Sequence, residues 1–207
     1  MATMKSRAIF VTGLWKENPV FRQILGICSA LAVTNLMVNT LIMSLSLIFV
    51  TSMANVTVSI LRSVTPPRIR MMVQTLVIAA YVIIVDIFLK AYLPDISDAL
   101  GPYVGLIITN CIIMGRCEAF ARSNPVWPSF VDGVASGCGY AFVLLSVAFF
   151  REVLGFGTFF GMRVMPGGWT NWTIMVMAPG AFFMLGAFIW VIRSLGPKEE
   201  QKSGVAM

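Results

Sequence analysis

The sequence predicts an all-α integral membrane protein. Its six transmembrane helices form an inverted 3+3 repeat, with spans one and four broken into half-helices. Three observations carry that expectation. Of 207 residues, 58% are hydrophobic and only 12% charged, against about 25% charged in a typical soluble domain. The mean hydropathy is +0.86. Six apolar segments can be marked off, and two of them are interrupted at corresponding places.

A bilayer core is about 30 Å thick, so a helical span needs about 20 apolar residues. Lipid offers no hydrogen bonds to stray backbone groups, which makes the spans helices. The segments run over about 18–38, 39–61, 71–93, 102–121, 129–150 and 173–195. Residues 1–17 form a cytoplasmic tail and 196–207 another. The first repeat covers about 18–93 and the second about 102–195. Arg62, Pro66, Pro67, Arg68 and Arg70 separate spans two and three. Pro94, Asp95, Asp98, Gly101 and Pro102 separate three and four, and Asn124, Pro125 and Pro128 separate four and five. Pro166, Gly167 and Gly168 lie in the longest loop, before span six. The polar first seventeen residues and the lack of a small-residue cleavage site argue against a signal peptide.

Orientation follows from Lys and Arg, which collect on the cytoplasmic side. With both termini inside, the inner side holds Lys5, Arg7, Lys16, Arg22, Arg62, Arg68, Arg70, Arg116, Arg122, Arg193, Lys198 and Lys202. The outer side holds only Lys90, Arg151 and Arg163. This topology accounts for the net charge of +6, so no nucleic-acid partner is implied. Trp15, Trp127, Trp169, Trp172 and Trp190 fall near span ends, where interfacial aromatics belong.

The first and fourth segments are short as clean apolar helices. The 12 residues between Arg22 and Asn35 reach about 18 Å, and the 13 between Pro102 and Arg116 about 20 Å. Two readings fit: ordinary spans with ragged ends, or discontinuous helices that break near the membrane centre. Paired interruptions in two halves mark inverted-repeat membrane proteins. Each half then has an odd number of spans, so the second enters from the opposite face. Cys28 and Cys111, 83 residues apart, are central in the two segments and approach each other at the midplane.

The absence of histidine excludes histidine-ligated metals and Ser-His or Cys-His catalysis. Four cysteines remain. Cysteine is often a small buried hydrophobe. Cys138 lies between Gly137 and Gly139 in a small-residue run, in which Gly133 and Gly137 permit close helix approach. Cys117 lies between Arg116 and Glu118, near the cytoplasmic face. There is no C-x-x-C motif and no Gly-rich nucleotide fingerprint. A Cys28–Cys111 disulfide, a cluster held by all four thiols, and two ligands completed by a second chain all remain open from the residues alone.

Several motifs carry a family resemblance across about residues 17–197. They are Glu17-Asn18-Pro19-Val20, Leu25-Gly26-Ile27-Cys28-Ser29-Ala30-Leu31-Ala32-Val33-Thr34, and Gly105-Leu106-Ile107-Ile108-Thr109-Asn110-Cys111-Ile112-Ile113-Met114-Gly115-Arg116. Further matches are Glu118-Ala119-Phe120-Ala121, Asp132-Gly133 with Gly137 and Gly139-Tyr140, Arg151-Glu152-Val153-Leu154-Gly155 and Ala178-Pro179-Gly180-Ala181-Phe182-Phe183. Together these resemble the homologous D-type and E-type membrane subunits of the Nqr and Rnf complexes. Ser29-Ala30-Leu31-Ala32 is similar to the D type of Nqr, whereas the E type of Rnf usually has Pro-Thr-Leu-Ala there.

The resemblance implies a subunit of an ion-translocating NADH:ubiquinone oxidoreductase in the bacterial inner membrane. With the homologous E-type subunit it implies a [2Fe–2S] cluster at mid-membrane, two cysteines from each chain. Cys28 and Cys111 match those ligand positions, while Cys117 and Cys138 do not. It implies electron relay across the membrane coupled to outward Na+ pumping. The A, B, C and F subunits, with FAD, FMN and riboflavin elsewhere in the complex, are implied too. This chain would hold no complete active site, and no catalytic residue is assigned to it. Gly26 would permit close backbone approach to the cluster, and Asn110 with Thr109 would add donors beside Cys111. Half-helix N-termini would stabilise sulfur-borne negative charge.

Asp86, four residues before Lys90, reads as half of a helical salt pair, and Asp132 as an acid near a helix start; either is also a candidate for a sodium route. Glu118 and Glu152 have neighbouring arginines suited to topology or subunit contacts. A small inverted-repeat transporter and a purely structural subunit are the competing functions. Neither needs a thiol centred in each interrupted segment.

Overall fold

The computed structural model describes residues 25–92, 94–159, 162–163 and 177–195. The tails 1–17 and 196–207, the Glu17–Val20 motif, the Pro166–Gly168 loop and Trp15, Trp169 and Trp172 lie outside the described residues. The helices are α1 (Ile27–Val33), α2 (Met37–Leu61), α3 (Arg70–Tyr92), α4 (Pro94–Ile108), α5 (Cys111–Arg116), α6 (Val126–Phe156) and α7 (Ala178–Leu195). A π-helical turn, Cys117–Ala121, extends α5. A two-residue antiparallel pair, Thr158–Phe159 with Met162–Arg163, follows α6.

Among the described residues, four helical stretches are long and apolar enough to cross a membrane. They are Met37–Leu61, Arg70–Tyr92, Tyr103–Ala121 and Val126–Phe156. The second and third predicted spans correspond to α2 and α3 within two residues. Segments one and four are both interrupted. The chain leaves helix at Thr34–Leu36 between α1 and α2, and at Thr109–Asn110 between α4 and α5.

Three expectations need correction. The segment 18–38 does not end as one helix, because α1 stops at Val33 and Met37 already belongs to α2. The break before the fourth segment is shorter than the Pro94–Pro102 run suggested, since α4 begins at Pro94. Proline is comfortable at a first helical position, where its missing N–H has no intrahelical partner to lose. The fifth segment extends to Phe156 rather than 150. This carries Arg151 into a helix, where it is 2% exposed. Arg116, expected in an inner loop, is likewise 3% exposed.

Helices α2 and α6 form the central pair. Gly133 and Gly137 on α6 face the α2 backbone. A Cβ at Gly133 would lie 2.8 Å from Ser52 Cα, and one at Gly137 3.0 Å from Ile48 Cα. This is the close approach that small residues allow. The hydroxyls of Ser46, Thr51, Ser52 and Thr57 donate to carbonyls four residues back in α2, which satisfies them without water. Leu47, Val50, Ile78, Ile113, Val143 and Leu144 lie in the apolar core. The outer face of α3 stays apolar, with Leu76, Ile83, Ile84, Ile87 and Phe88 exposed.

The α2–α6 contact has a measurable consequence. Gly133→Ala should cost about 1–3 kcal/mol, because the added methyl meets backbone and cannot be relieved by a rotamer change. Gly105→Ala, with open space around its Cβ position, should stay within about 0.5 kcal/mol. Unfolding temperatures of the purified membrane protein check the contrast.

Candidate functional site

The interruption before Cys111 and the start of α1 meet in the protein. Gly26 caps α1 in the left-handed conformation, φ 81°, and Cys28 is the second helical residue. Cys111 is the first residue of α5. Its helix is capped by Asn110, whose side-chain oxygen accepts from the Ile112 N–H at 3.0 Å. The Gly26 N–H donates to Cys111 Sγ at 2.9 Å, joining positions 85 residues apart. The two cysteine-bearing segments, expected to converge from their mirrored depths, are therefore in direct contact. Cys28 is exposed on the surface of this chain and Cys111 half-buried.

A polar network holds this junction. Tyr140 Oη on α6 donates to the Gly26 carbonyl at 3.0 Å and shares a short hydrogen bond with Ser29 Oγ. Ser29 Oγ also lies 3.2 Å from the Gly26 carbonyl, and Asn110 Nδ2 donates to it at 3.2 Å. Asn110, Ser29 and Tyr140 are buried, so satisfied hydrogen bonds are required of them. Gly26 is enclosed: a Cβ there would come within 2.5 Å of Ile112 Cδ1 and 2.9 Å of Tyr140 Cε2.

Sequence reasoning named Gly26, Asn110, Cys28 and Cys111; the structure sets Gly26 against Cys111, with Asn110 capping the Cys111 helix and Cys28 exposed two residues after Gly26. It missed Ser29 and Tyr140 as parts of the site. Their signal was present, since Ser29 adjoins Cys28 and Tyr140 is the one large polar side chain ending the run Gly137-Cys138-Gly139-Tyr140. Tyr140→Phe should therefore loosen the junction by about 0.5–1.5 kcal/mol, the cost of a lost hydrogen bond whose acceptor keeps other donors in Ser29 and the Ala30 N–H. A lower unfolding temperature with unchanged helix content would show it.

The break after α1 is fixed from the other end of α6. Arg151 Nη1 donates to Thr34 Oγ1 at 2.6 Å, and Glu152 Oε2 accepts from the Met37 N–H at the start of α2 at 2.7 Å. Met37 is the first residue of α2, where a carboxylate is favourable. These contacts are the structural role of the Arg151-Glu152 pair, which the sequence suggested for topology or subunit contacts.

The remaining cysteines lie elsewhere. Cys117 is buried and its thiol donates to Asn55 Oδ1 at 3.3 Å. Cys138 sits in α6 within the small-residue run. Among the described residues, no group of three or more Cys, Asp or Glu side chains is gathered as a metal site. Asp132 is buried and takes a bidentate contact from Arg116, with Nε to Oδ2 at 3.0 Å. Asp86 pairs with Lys90 at 2.6 Å, as its spacing suggested. Glu118 meets Arg70 at 2.9 Å and Arg122 at 3.1 Å.

A protein-family model described as "Rnf-Nqr subunit, membrane protein" matches residues 6–189. The chain belongs to the Rnf-Nqr subunit family. It is 47% identical over 202 residues to the D subunit of the Na(+)-translocating NADH-quinone reductase of Photobacterium profundum. That alignment covers 95% of this chain and 96% of the relative. In this Rnf-Nqr chain, the junction between α1 and α5 sets a thiol against a backbone N–H.

The donor set bears on what the junction can hold. Two thiols stand at the starts of two short helices, one half-buried and one facing outward. A backbone N–H is already directed at one sulfur, as cluster-binding thiolates accept. Thiolate ligation by four cysteines is usual for [2Fe–2S], and this chain brings two to the junction. The residues therefore supply two of the four thiols such a site would use, Cys28 exposed and Cys111 half-buried.

Proposed function

We propose that this chain is the D-type subunit of a Na+-translocating NADH:ubiquinone oxidoreductase. With the homologous E-type subunit it holds a [2Fe–2S] cluster inside the bacterial inner membrane. Six spans form an inverted repeat, with half-helices in spans one and four and both termini in the cytoplasm. The A, B, C and F subunits complete the complex, with its FAD, FMN and riboflavin. The observation that carries the reading is the contact of Gly26 N–H with Cys111 Sγ, which joins the starts of the two short cysteine-bearing helices. A transporter or a structural subunit gives no reason for that convergence on thiols.

Bound at the junction, the cluster would supply one-electron relay across a hydrocarbon layer about 30 Å thick. The protein's part is to hold and tune. Cys28 and Cys111 provide thiolate ligands. The Gly26 N–H offsets charge on the Cys111 sulfur, which would otherwise be expensive to bury. Asn110 fixes the start of α5 and so the direction of Cys111. Ser29 and Tyr140 lock the Gly26 carbonyl, and hence the peptide that aims the N–H. Arg151 and Glu152 secure the break at the far end of α1. The electron relay is coupled to outward movement of Na+ by the complex as a whole.

The test uses membranes from a strain lacking this chain. Wild-type protein supplied in trans should restore NADH-dependent ubiquinone reduction that is stimulated by Na+. Restoration without any Na+ dependence would contradict the assignment.

A further inference from the structure

We propose that the cavity between α2, α3 and the end of the π-turn binds the phosphate of an anionic phospholipid headgroup. The cavity has a volume of about 110 Å³, room for several waters and so for a phosphate group. Arg62, Arg70 and Arg122 line it together with the apolar residues Val58, Leu61 and Val73. Positive-inside topology puts these three arginines on the cytoplasmic side, where anionic lipid attracts basic groups.

The local charges decide what the cavity favours. Glu118 is the carboxylate paired with both Arg70 and Arg122. Arg62 Nη1 donates to the Asn124 carbonyl at 3.0 Å, which leaves its charge unneutralised there. Three guanidinium groups against one carboxylate leave a positive excess around the cavity. Arg70 is short of acceptors. Its Nε and Nη1 atoms are buried without a hydrogen bond, the ion-pair approach of Nη1 to Glu118 notwithstanding. A guanidinium has five donors and no acceptor, so a phosphate oxygen relieves the shortage. Gln74 Oε1 is also buried without a partner, and it repels an anion unless it turns its amide, whose Nε2 donates to Glu118 at 3.1 Å. A free phosphate would use only the arginines. The apolar residues in the lining favour an anion carrying glycerol and acyl groups, which commits the site to lipid.

None of these residues touches the Gly26–Cys111 junction, so the lipid site stands or falls independently of the cluster. The experiment delipidates the intact complex in detergent and titrates phosphatidylglycerol, reading bound lipid and unfolding temperature. Wild type should bind phosphatidylglycerol saturably, and binding should weaken as salt rises. Phosphatidylcholine should not displace it. Arg70→Gln should weaken binding about tenfold, the loss of one charge-assisted contact, and Arg70→Gln with Arg122→Gln more. Arg68→Gln removes the same charge two residues from Arg70, outside the cavity lining, and should change little. Equal binding by wild type and the double variant would overturn the proposal. So would an equal loss in Arg68→Gln, or full stabilisation by inorganic phosphate alone. Should the double variant fail to assemble, the wild-type salt titration and the phosphatidylcholine competition still decide: salt-independent or choline-displaceable binding refutes the site.

Discussion

Cys28→Ala or Cys111→Ala should block NADH-driven ubiquinone reduction by the assembled complex, while NADH oxidation by a soluble artificial acceptor survives. The split arises because the proposed ligands lie on the route across the membrane, not at the NADH site, for which this chain has no nucleotide fingerprint. Loss of an outer partner of a metal typically costs roughly 10–100-fold in affinity or activity, so loss of a ligand should exceed that. Both single variants and the double variant should be equally defective, as residues acting as one unit are not additive. Cys117→Ala is the contrasting case. Its thiol bonds Asn55 Oδ1 at 3.3 Å away from the junction, and its removal should leave quinone reduction within about twofold, a small packing change in energetic terms. Equal loss of both NADH reactions in Cys28→Ala would show instead that the complex had failed to assemble around a structural thiol.

Gly26→Ala should be the most damaging conservative change near the site. Two independent effects add. A non-glycine residue at φ 81° pays about 1 kcal/mol or more for the left-handed conformation. The new Cβ would meet Ile112 Cδ1 at 2.5 Å and Tyr140 Cε2 at 2.9 Å, an overpacking cost of about 1–3 kcal/mol. The Ile112 side chain can turn aside, but Tyr140 is held by its hydrogen bonds and the left-handed φ must relax, and both shift the Gly26 peptide whose N–H meets Cys111 Sγ. Gly26→Ala should therefore lose bound iron as well as stability, whereas Gly133→Ala should lose stability alone. Comparing iron per assembled complex in the two variants separates these outcomes.

Much of the frame was legible because it is written in local composition. Apolar runs of span length gave α2 and α3 nearly to the residue, and charge-rich and proline-rich breaks marked the turns before α3 and α6. The central places of Cys28 and Cys111 in two interrupted segments pointed to their convergence. What remained hidden depends on contacts far apart in sequence. Arg151 and Arg116 look like loop charges to any local reading. They are buried because Thr34 and Asp132 receive them from other segments. Pro94 and Pro102 read as punctuation, but the first begins α4 and the second is carried within it. Tyr140 was passed over among glycines because only the folded chain brings α6 beside the Gly26 turn. The motifs that the resemblance rests on contain Gly26, Ser29, Asn110 and Tyr140, so the site lay inside recognisable sequence although their hydrogen bonds did not.

Everything proposed for the junction rests on this chain's giving two thiolate ligands to a cluster shared with a homologous partner. The most direct measurement is the electron paramagnetic resonance spectrum, with iron content, of the reduced intact complex carrying Cys28→Ala or Cys111→Ala. One [2Fe–2S] signal and its iron should disappear in either variant while the subunits remain assembled. An unchanged signal with full iron retained in both variants would refute the ligation.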